Sequence, residues 1–180
     1  MVSLASPGPE WNGYCGPLRI RVRLPSGPLG QAEPLVVTGV AGAGDFVYVR
    51  YLSDGRISLG YDHWGVGGAE SQPLSGLRDG REVELVICFG GLMPPKGAKI
   101  FAANANLAAL RDRVIVSVDG RLVLSTTMPS HASAPAAIVV GCNPIGGSTT
   151  TEAFRGGILS LNSEPVGAVL RMLEAAVPER

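Results

Sequence analysis

The stretch that decides the fold runs from Gly39 to Gly65 and reads GVAGAGDFVYVRYLSDGRISLGYDHWG. Two runs rich in β-branched and aromatic residues, 45–52 and 56–61, flank Ser53-Asp54-Gly55. An Asp-Gly pair between two such runs is the strongest short-range signal for a β-hairpin. The sequence therefore predicts two antiparallel strands joined by a tight turn, preceded by a Gly-rich turn.

Further strands are predicted by period-two alternation and by a second Asp-Gly turn at residues 119–120. The segments with this character are 18–24, 35–38, 81–89, 113–118, 121–126, 136–142 and 154–161. Alternating apolar and polar residues are typical of a half-buried strand. Many short strands separated by frequent turns predict an all-β fold, a sandwich of two packed antiparallel sheets.

The length of 180 residues predicts a single domain. We expect an N-terminal arm over residues 1–16, the sandwich over 17–162 and a C-terminal amphipathic helix over 163–180. Trp11 and Tyr14 are expected to pack the arm down. Residues 90–112 are expected to form a long loop with a short helix at 106–111.

The C-terminal helix is predicted from Pro165 to Val177, with Ser163 as its N-cap. Its apolar face is formed by Val166, Val169, Leu170, Leu173 and Val177. So short a helix is only marginally stable alone, and it must therefore pack against another surface. The surface it covers is either the chain's own sandwich or, alternatively, a neighbouring subunit in a homo-oligomer or another domain of a longer parent chain.

The charge balance, the hydropathy and the cysteine content argue against several classes of protein. Fifteen Lys+Arg balance fifteen Asp+Glu, so we expect no nucleic-acid partner, and the lack of a long apolar run predicts no membrane insertion. The first residues lack the charged start and apolar centre of a signal peptide. Cys15, Cys88 and Cys142 allow at most one disulfide and are expected to be buried as small hydrophobic residues.

Asp62-His63-Trp64 is the best candidate for a ligand site. An indole stacks on the apolar face of a sugar ring, and a carboxylate accepts hydrogen bonds from hydroxyl groups. Because neighbours on a strand point to opposite faces, Asp62 and Trp64 should share one side and His63 the other. The loop residues that we expect to complete this site are Asn143, Ser148 and Thr149. In the alternative reading, Trp64 plugs the end of the sandwich.

A stripe of three guanidinium groups, Arg19, Arg21 and Arg23, lies on one face of the strand at 18–24. It could bind an anionic ligand as a secondary site. The alternative is cross-strand pairing with Glu82 and Glu84.

No cofactor is predicted. The chain has only two histidines, His63 and His131, and no zinc-protease or EF-hand motif. A Ca²⁺ site built from Asp45 or Asp62 with Asn143 and loop carbonyls is chemically feasible and is kept as a minor alternative.

Three segments carry a resemblance to a known family: Val118-Asp119-Gly120-Arg121 between two strands, then IVVGCN at 138–143, then FRGGI at 154–158. Their order resembles the C-terminal half of concanavalin A-like lectin/glucanase domains of the laminin-G-like kind, over roughly residues 17–162. The resemblance implies a jelly roll, an extracytoplasmic location and a glycan or protein partner, sometimes bound through Ca²⁺.

The hydrolase branch of that family has three alternating acidic residues on one strand. Here the nearest match is Glu82-Val-Glu84, which lacks the third carboxylate, so no catalytic residue is carried over. We therefore expect a non-catalytic recognition module that binds carbohydrate. The alternatives are a structural or assembly domain that contacts proteins and, third, a polysaccharide hydrolase, whose two carboxyl groups would have to lie about 5 Å apart for retention.

Overall fold

Two antiparallel sheets pack face to face in the computed structural model, which describes residues 7–25, 30–77 and 80–176. The ten strands are β1 (Leu18–Arg23), β2 (Ala32–Val40), β3 (Ala43–Tyr51), β4 (Ile57–His63), β5 (Gly67–Glu70), β6 (Glu82–Cys88), β7 (Arg113–Val118), β8 (Arg121–Thr127), β9 (Val139–Val140) and β10 (Gly157–Ser163). Sheet A has the order β10-β1-β6-β7-β8, and sheet B the order β5-β4-β3-β2-β9. The predicted all-β sandwich is confirmed.

Both Asp-Gly hairpins are present. β3 pairs with β4 around Ser53-Asp54-Gly55, and β7 pairs with β8 around Asp119-Gly120. Asp119 and Gly120 have φ values of 48° and 79°, the two positive angles that a type I′ turn requires. The Asp119-Gly120 pair therefore forms one of the two turn types, I′ and II′, whose twist matches that of the flanking strands.

The core between the sheets is built from the inward residue of each alternating pair. Val83, Leu85 and Ile87 of β6 are buried against Val47 and Val49 of β3 in one hydrophobic cluster. On β6, Glu82 and Glu84 take the alternate positions and point away from the core. The period-two pattern thus correctly predicts which strand residues face inward.

A second hydrophobic cluster covers the outer face of sheet A. Three helices contribute to it: α1 (Lys99–Ala102), α2 (Ala105–Arg111) and α3 (Val166–Ala175). Val169 of α3 is fully buried in this cluster, which also contains Trp11 and Ile115. The apolar face of α3 therefore docks on the chain's own sandwich, and the alternative of a subunit contact through this helix is left without support.

None of the helices in the described part of the chain is long and apolar enough to cross a membrane.

Several predicted boundaries were wrong. Ser163 is the last residue of β10, and α3 starts after Pro165 without a side-chain cap. β2 begins at Ala32, before the predicted segment at 35–38, and it includes Pro34, next to a shift in register. β2 has a second neighbour, β9, only at Val36 and Val37, so the missing N–H of Pro34 disrupts no second ladder.

Two further expectations also changed. The predicted strand at 136–142 shrinks to β9, because Pro135–Ala137 form a 3₁₀ helix. Cys15 and Cys88 are buried as expected and burial raises the pKa of each thiol to about 12, but Cys142 is exposed. Residues 1–6 of the predicted arm and Val177 of the predicted helix lie outside the described residues.

Candidate functional site on the outer face of sheet B

An open groove of about 360 Å³ lies on the face of sheet B that points away from the core. The residues that line it are Tyr48, Arg50, Asp62, Gly68, Ala69, Glu70 and Thr149. Strand register brings them together, because Tyr48 lies opposite Gly60 and Gly60 lies opposite Glu70. The groove therefore spans three adjacent strands, β3, β4 and β5.

Glycines shape the floor of this groove. A Cβ atom on Gly60 would overlap the ring of Tyr48, and one on Gly68 would overlap the backbone at Tyr61. The phenol of Tyr48 consequently lies over Gly60, and burial raises the pKa of its hydroxyl. A glycine inside a strand often marks such a close approach.

Polar groups at one end of the groove hold one another in place. The guanidinium carbon of Arg50 lies 5.2 Å from the centroid of the Tyr48 ring, within cation–π range. Arg50 Nε donates to Glu70 Oε1 at 3.0 Å, and the Ser58 hydroxyl donates to the same carboxylate oxygen. Arg50 and Glu70 are thus oriented and remain partly exposed, with side-chain exposures of 35% and 36%.

A second depression of about 250 Å³ adjoins the first and is lined by Asp62, Trp64, Gly65, Gly147, Ser148 and Thr149. The two depressions meet at Asp62 and Thr149, where the Thr149 hydroxyl donates to Asp62 Oδ2 at 2.5 Å. This pair is the junction of the candidate site. Four of the residues predicted from the sequence, Asp62, Trp64, Ser148 and Thr149, are brought together here.

Trp64 lines one side of the second depression, and its indole is not fully exposed. Its ring lies 6.0 Å from that of Phe46 at an angle of 33°, and a Cβ on Gly147 would come within 3.1 Å of it. The indole is half-buried. Part of its surface therefore packs on the protein, and the rest faces the depression.

Asn143 shapes the loop that carries Ser148 and Thr149. Its Nδ2 donates to the carbonyl of Gly146 at 3.0 Å and to Thr150 Oγ1 at 3.1 Å. Its Oδ1 accepts from the backbone N–H groups of Ile145 and Gly146. The amide is thus occupied within its own loop and supports the site indirectly.

His63 points to the opposite side of sheet B, as the strand alternation predicts. Its Nδ1 lies 2.6 Å from Asp45 Oδ1, which also accepts from the Tyr61 hydroxyl at 3.0 Å. The backbone N–H of His131 donates to Asp45 Oδ2 at 2.9 Å. Burial raises the pKa of the Asp45 carboxyl, against the opposing effect of the bonds from His63 and Tyr61.

This arrangement corrects the proposed calcium ligands. Asp45 is fully buried on the inner side, whereas Asp62, opposite Phe46 in the register, faces outward to Thr149. The Asn143 oxygen is bound within its loop. The two alternative carboxylates therefore lie on opposite sides of sheet B, and the Asn143 oxygen, common to both alternatives, accepts hydrogen bonds within its own loop.

The arginine stripe forms the cross-strand pairs of the alternative reading. Arg21 and Arg23 each bind Glu82 at 2.6 Å. Arg19 binds Glu84 and also the buried Glu164, at 2.5 Å. The bonds from Arg23 and Arg21 lower the pKa of Glu82. Since carboxylates already neutralise these guanidinium groups, the stripe presents little free positive charge. The Glu82-Val-Glu84 pair lies on sheet A, away from the groove.

Sequence reasoning missed Tyr48, Arg50 and Glu70. The alternation of β3 could have indicated the first two, because Tyr48 and Arg50 share the outward face with Phe46. Gly60 was a further signal, since an interior strand glycine allows a ring to lie above it. Glu70 could not be found in this way, because it belongs to a short edge strand whose register is fixed only by pairing with β4.

Comparison with known proteins identifies the fold. No family model matches the sequence, and no curated protein matches it significantly. Among solved structures, the carbohydrate-binding module CBM40 of the Ruminococcus gnavus IT-sialidase, bound to α2,3-sialyllactose, has a TM-score of 0.50 and 11% identity over 81% of this chain and 72% of that chain. A heptameric SAP-like pentraxin from Limulus polyphemus has a TM-score of 0.50 and 11% identity, over 85% of this chain and 66% of that chain.

A third similar structure, domains LG4-5 of the mouse laminin α1 chain, has a TM-score of 0.40 and 11% identity, over 81% of this chain and 33% of that chain. The fold of this chain is a concanavalin A-like jelly roll. At this level of identity the likeness concerns the fold, so the function has to be argued from the site.

Proposed function

We propose that this domain is a non-catalytic carbohydrate-binding module whose glycan lies in the groove on the outer face of sheet B. The observation that carries this proposal is the junction at Asp62 and Thr149, where two open depressions meet. Together they offer the elongated, polar surface that a short oligosaccharide requires. The CBM40 structure supports the class of ligand, since that module was solved with sialyllactose.

The lining groups match the chemistry of a sugar. Asp62 and Glu70 accept hydrogen bonds from hydroxyl groups, and Arg50 donates several. Trp64 offers an aromatic surface for the apolar face of a pyranose ring. Because these side chains already bond to Thr149, Tyr48 and one another, little conformational entropy is lost when the ligand binds.

Charge favours a neutral glycan. The groove holds two carboxylates, Asp62 and Glu70, and one guanidinium, Arg50. Arg50 is already paired with Glu70, so an anionic sugar would have to compete for it and would also approach Asp62. We therefore expect neutral oligosaccharides to bind more tightly than their sialylated counterparts.

A glycan array followed by isothermal titration calorimetry tests this proposal. Asp62→Ala and Thr149→Ala should each weaken the best neutral ligand by about tenfold or more, the loss expected for hydrogen bonds to a charged group. Arg21→Ala, on the other sheet, is the matched control and should bind as the wild type does. The proposal fails if no glycan binds, or if binding persists unchanged in both groove variants.

A further inference from the structure

Both histidines of the chain meet one buried carboxylate at an end of the sandwich interior. His63 comes from β4 and His131 from the loop after β8, and their rings stack with centroids 4.0 Å apart. Asp45 is fully buried beside them. One ligand atom from each of the three residues lies within 4.8 Å of the other two.

We propose that Asp45, His63 and His131 form a binding site for a divalent transition-metal ion such as Zn²⁺. Two imidazoles with one carboxylate are a donor set suited to Zn²⁺, Ni²⁺ or Cu²⁺. Ca²⁺ is excluded as the preferred ion, because it takes six to eight oxygen ligands and only one of these side chains supplies oxygen.

The donors need a rearrangement in which the two rings tilt apart, because each lone pair lies in its ring plane and the planes are now only 26° from parallel. Ligands of a tetrahedral Zn²⁺ lie about 2.0–2.1 Å from the metal and hence about 3.4 Å from one another. The contact of 2.6 Å between His63 and Asp45 would widen, and the longest separation, 4.8 Å at most, would narrow. Asp45 and His63 face each other on paired strands, so most of the movement falls to His131 in its loop.

The hydrogen bonds also determine which imidazole nitrogens carry a proton. A carbonyl only accepts, so His131 Nε2, 3.1 Å from the Trp64 oxygen, carries a proton and leaves a lone pair on Nδ1. On His63, a metal bound at Nδ1 displaces the proton shared with Asp45, and Nε2 takes up a proton, so that the ligand stays a neutral imidazole. The Tyr61 hydroxyl and the His131 backbone N–H hold the carboxylate of Asp45 in position.

A nearby charge limits the affinity. The buried guanidinium of Arg111 interacts with Asp45, so an incoming cation is attracted to a carboxylate whose charge is already partly balanced. We expect a weaker site than one built from three histidines. Binding would tie the loop at His131 to the ends of β3 and β4.

Calorimetric titration of tag-free protein with ZnCl₂ tests the site, with Ni²⁺ as a second probe. We expect one ion per chain and a loss of tenfold or more in affinity for His131→Gln, whose side chain is partly exposed, and for His63→Gln. Cys142→Ser removes the exposed thiol, and Asp62→Asn alters the neighbouring residue on the outer face; both controls should bind as the wild type does.

Imidazole resonances provide a second readout, because the chain has only two histidines. Ni²⁺ should broaden both sets of ring signals at substoichiometric concentrations. Zinc affinity unchanged in a folded His131→Gln variant, or broadening confined to other residues, would overturn the proposal. If His63→Gln fails to fold, His131→Gln decides. These measurements use no glycan, so their failure would leave the proposed function standing.

Discussion

The two outer faces of this sandwich differ in what covers them. On sheet A, the apolar residues Val86, Cys88 and Ile115 are packed beneath three helices and the segment around Trp11. On sheet B, as far as the described residues show, Ile145 of the loop at 143–150 and Trp64, directly after β4, lie against the apolar patch that contains Phe46. That cover ends at Thr149, where the groove begins.

The difference shows how the type of outward residue decides where a surface stays open. Outward apolar side chains of sheet A are covered by other parts of the chain, and its outward charges are neutralised in pairs such as Arg21 with Glu82. Sheet B instead has glycines at 60 and 68, where the Tyr48 ring and the backbone of Tyr61 approach too closely for a side chain. The two glycines therefore set the floor of the open face, because Gly60 allows the Tyr48 ring to lie over its strand.

The largest effect that separates the two faces should come from their tryptophans. Trp11→Ala should lower the free energy of unfolding by about 3–5 kcal/mol, because the indole is 5% exposed in a packed cluster. Trp64→Ala should cost about 1–2 kcal/mol, since that ring is only half-buried. Urea denaturation measures both. Equal losses would mean that Trp64 is a core residue, and the contrast between the faces would disappear.

An intermediate effect is expected from Gly60→Ala, which tests whether the Tyr48 ring needs a residue without a side chain beneath it. The new methyl group would displace the ring of Tyr48, at a cost of about 1–3 kcal/mol for overpacking. Glycan affinity should fall as well, because Arg50 lies over the same ring. Gly97→Ala is the matched control, with nothing near its added methyl group. A Gly60→Ala variant with wild-type stability and binding would contradict this description.

The smallest effect should come from the charged half of sheet A. Bonds from Arg23 and Arg21 lower the pKa of Glu82 in the folded state, so its contribution to stability is present above its ordinary pKa of about 4.3 and is lost as the pH falls through the lowered value. Glu82→Gln should therefore flatten the acid side of a plot of urea midpoint against pH.

The control for that measurement is Glu174→Gln, an exposed position on α3, which should keep the wild-type profile. If Glu82→Gln and Glu174→Gln behaved alike, the ion pairs at β1 and β6 would contribute nothing measurable. That outcome would agree with the small values typical of exposed salt bridges.

Local signals were enough to predict most of the strands and the directions of neighbouring side chains on them. The Asp-Gly turns and alternating residues identified both hairpins, and the opposite directions of His63 and Asp62 followed from the period of a strand. The short α1 and the restriction of β9 to two residues could not be predicted, since they depend on packing rather than on a periodic pattern. The convergence of His131 on Asp45 involves residues 86 positions apart, and no local pattern reports such a contact.

The three cysteines of the chain differ in exposure, so one of them can be labelled selectively. Cys15 and Cys88 are buried, with the pKa of each thiol raised to about 12, whereas Cys142 is exposed. Cys142 immediately precedes the loop that borders the groove. A thiol-reactive fluorophore should therefore attach at this position alone in the native protein, which would give an optical sensor for ligand binding without any engineered residue.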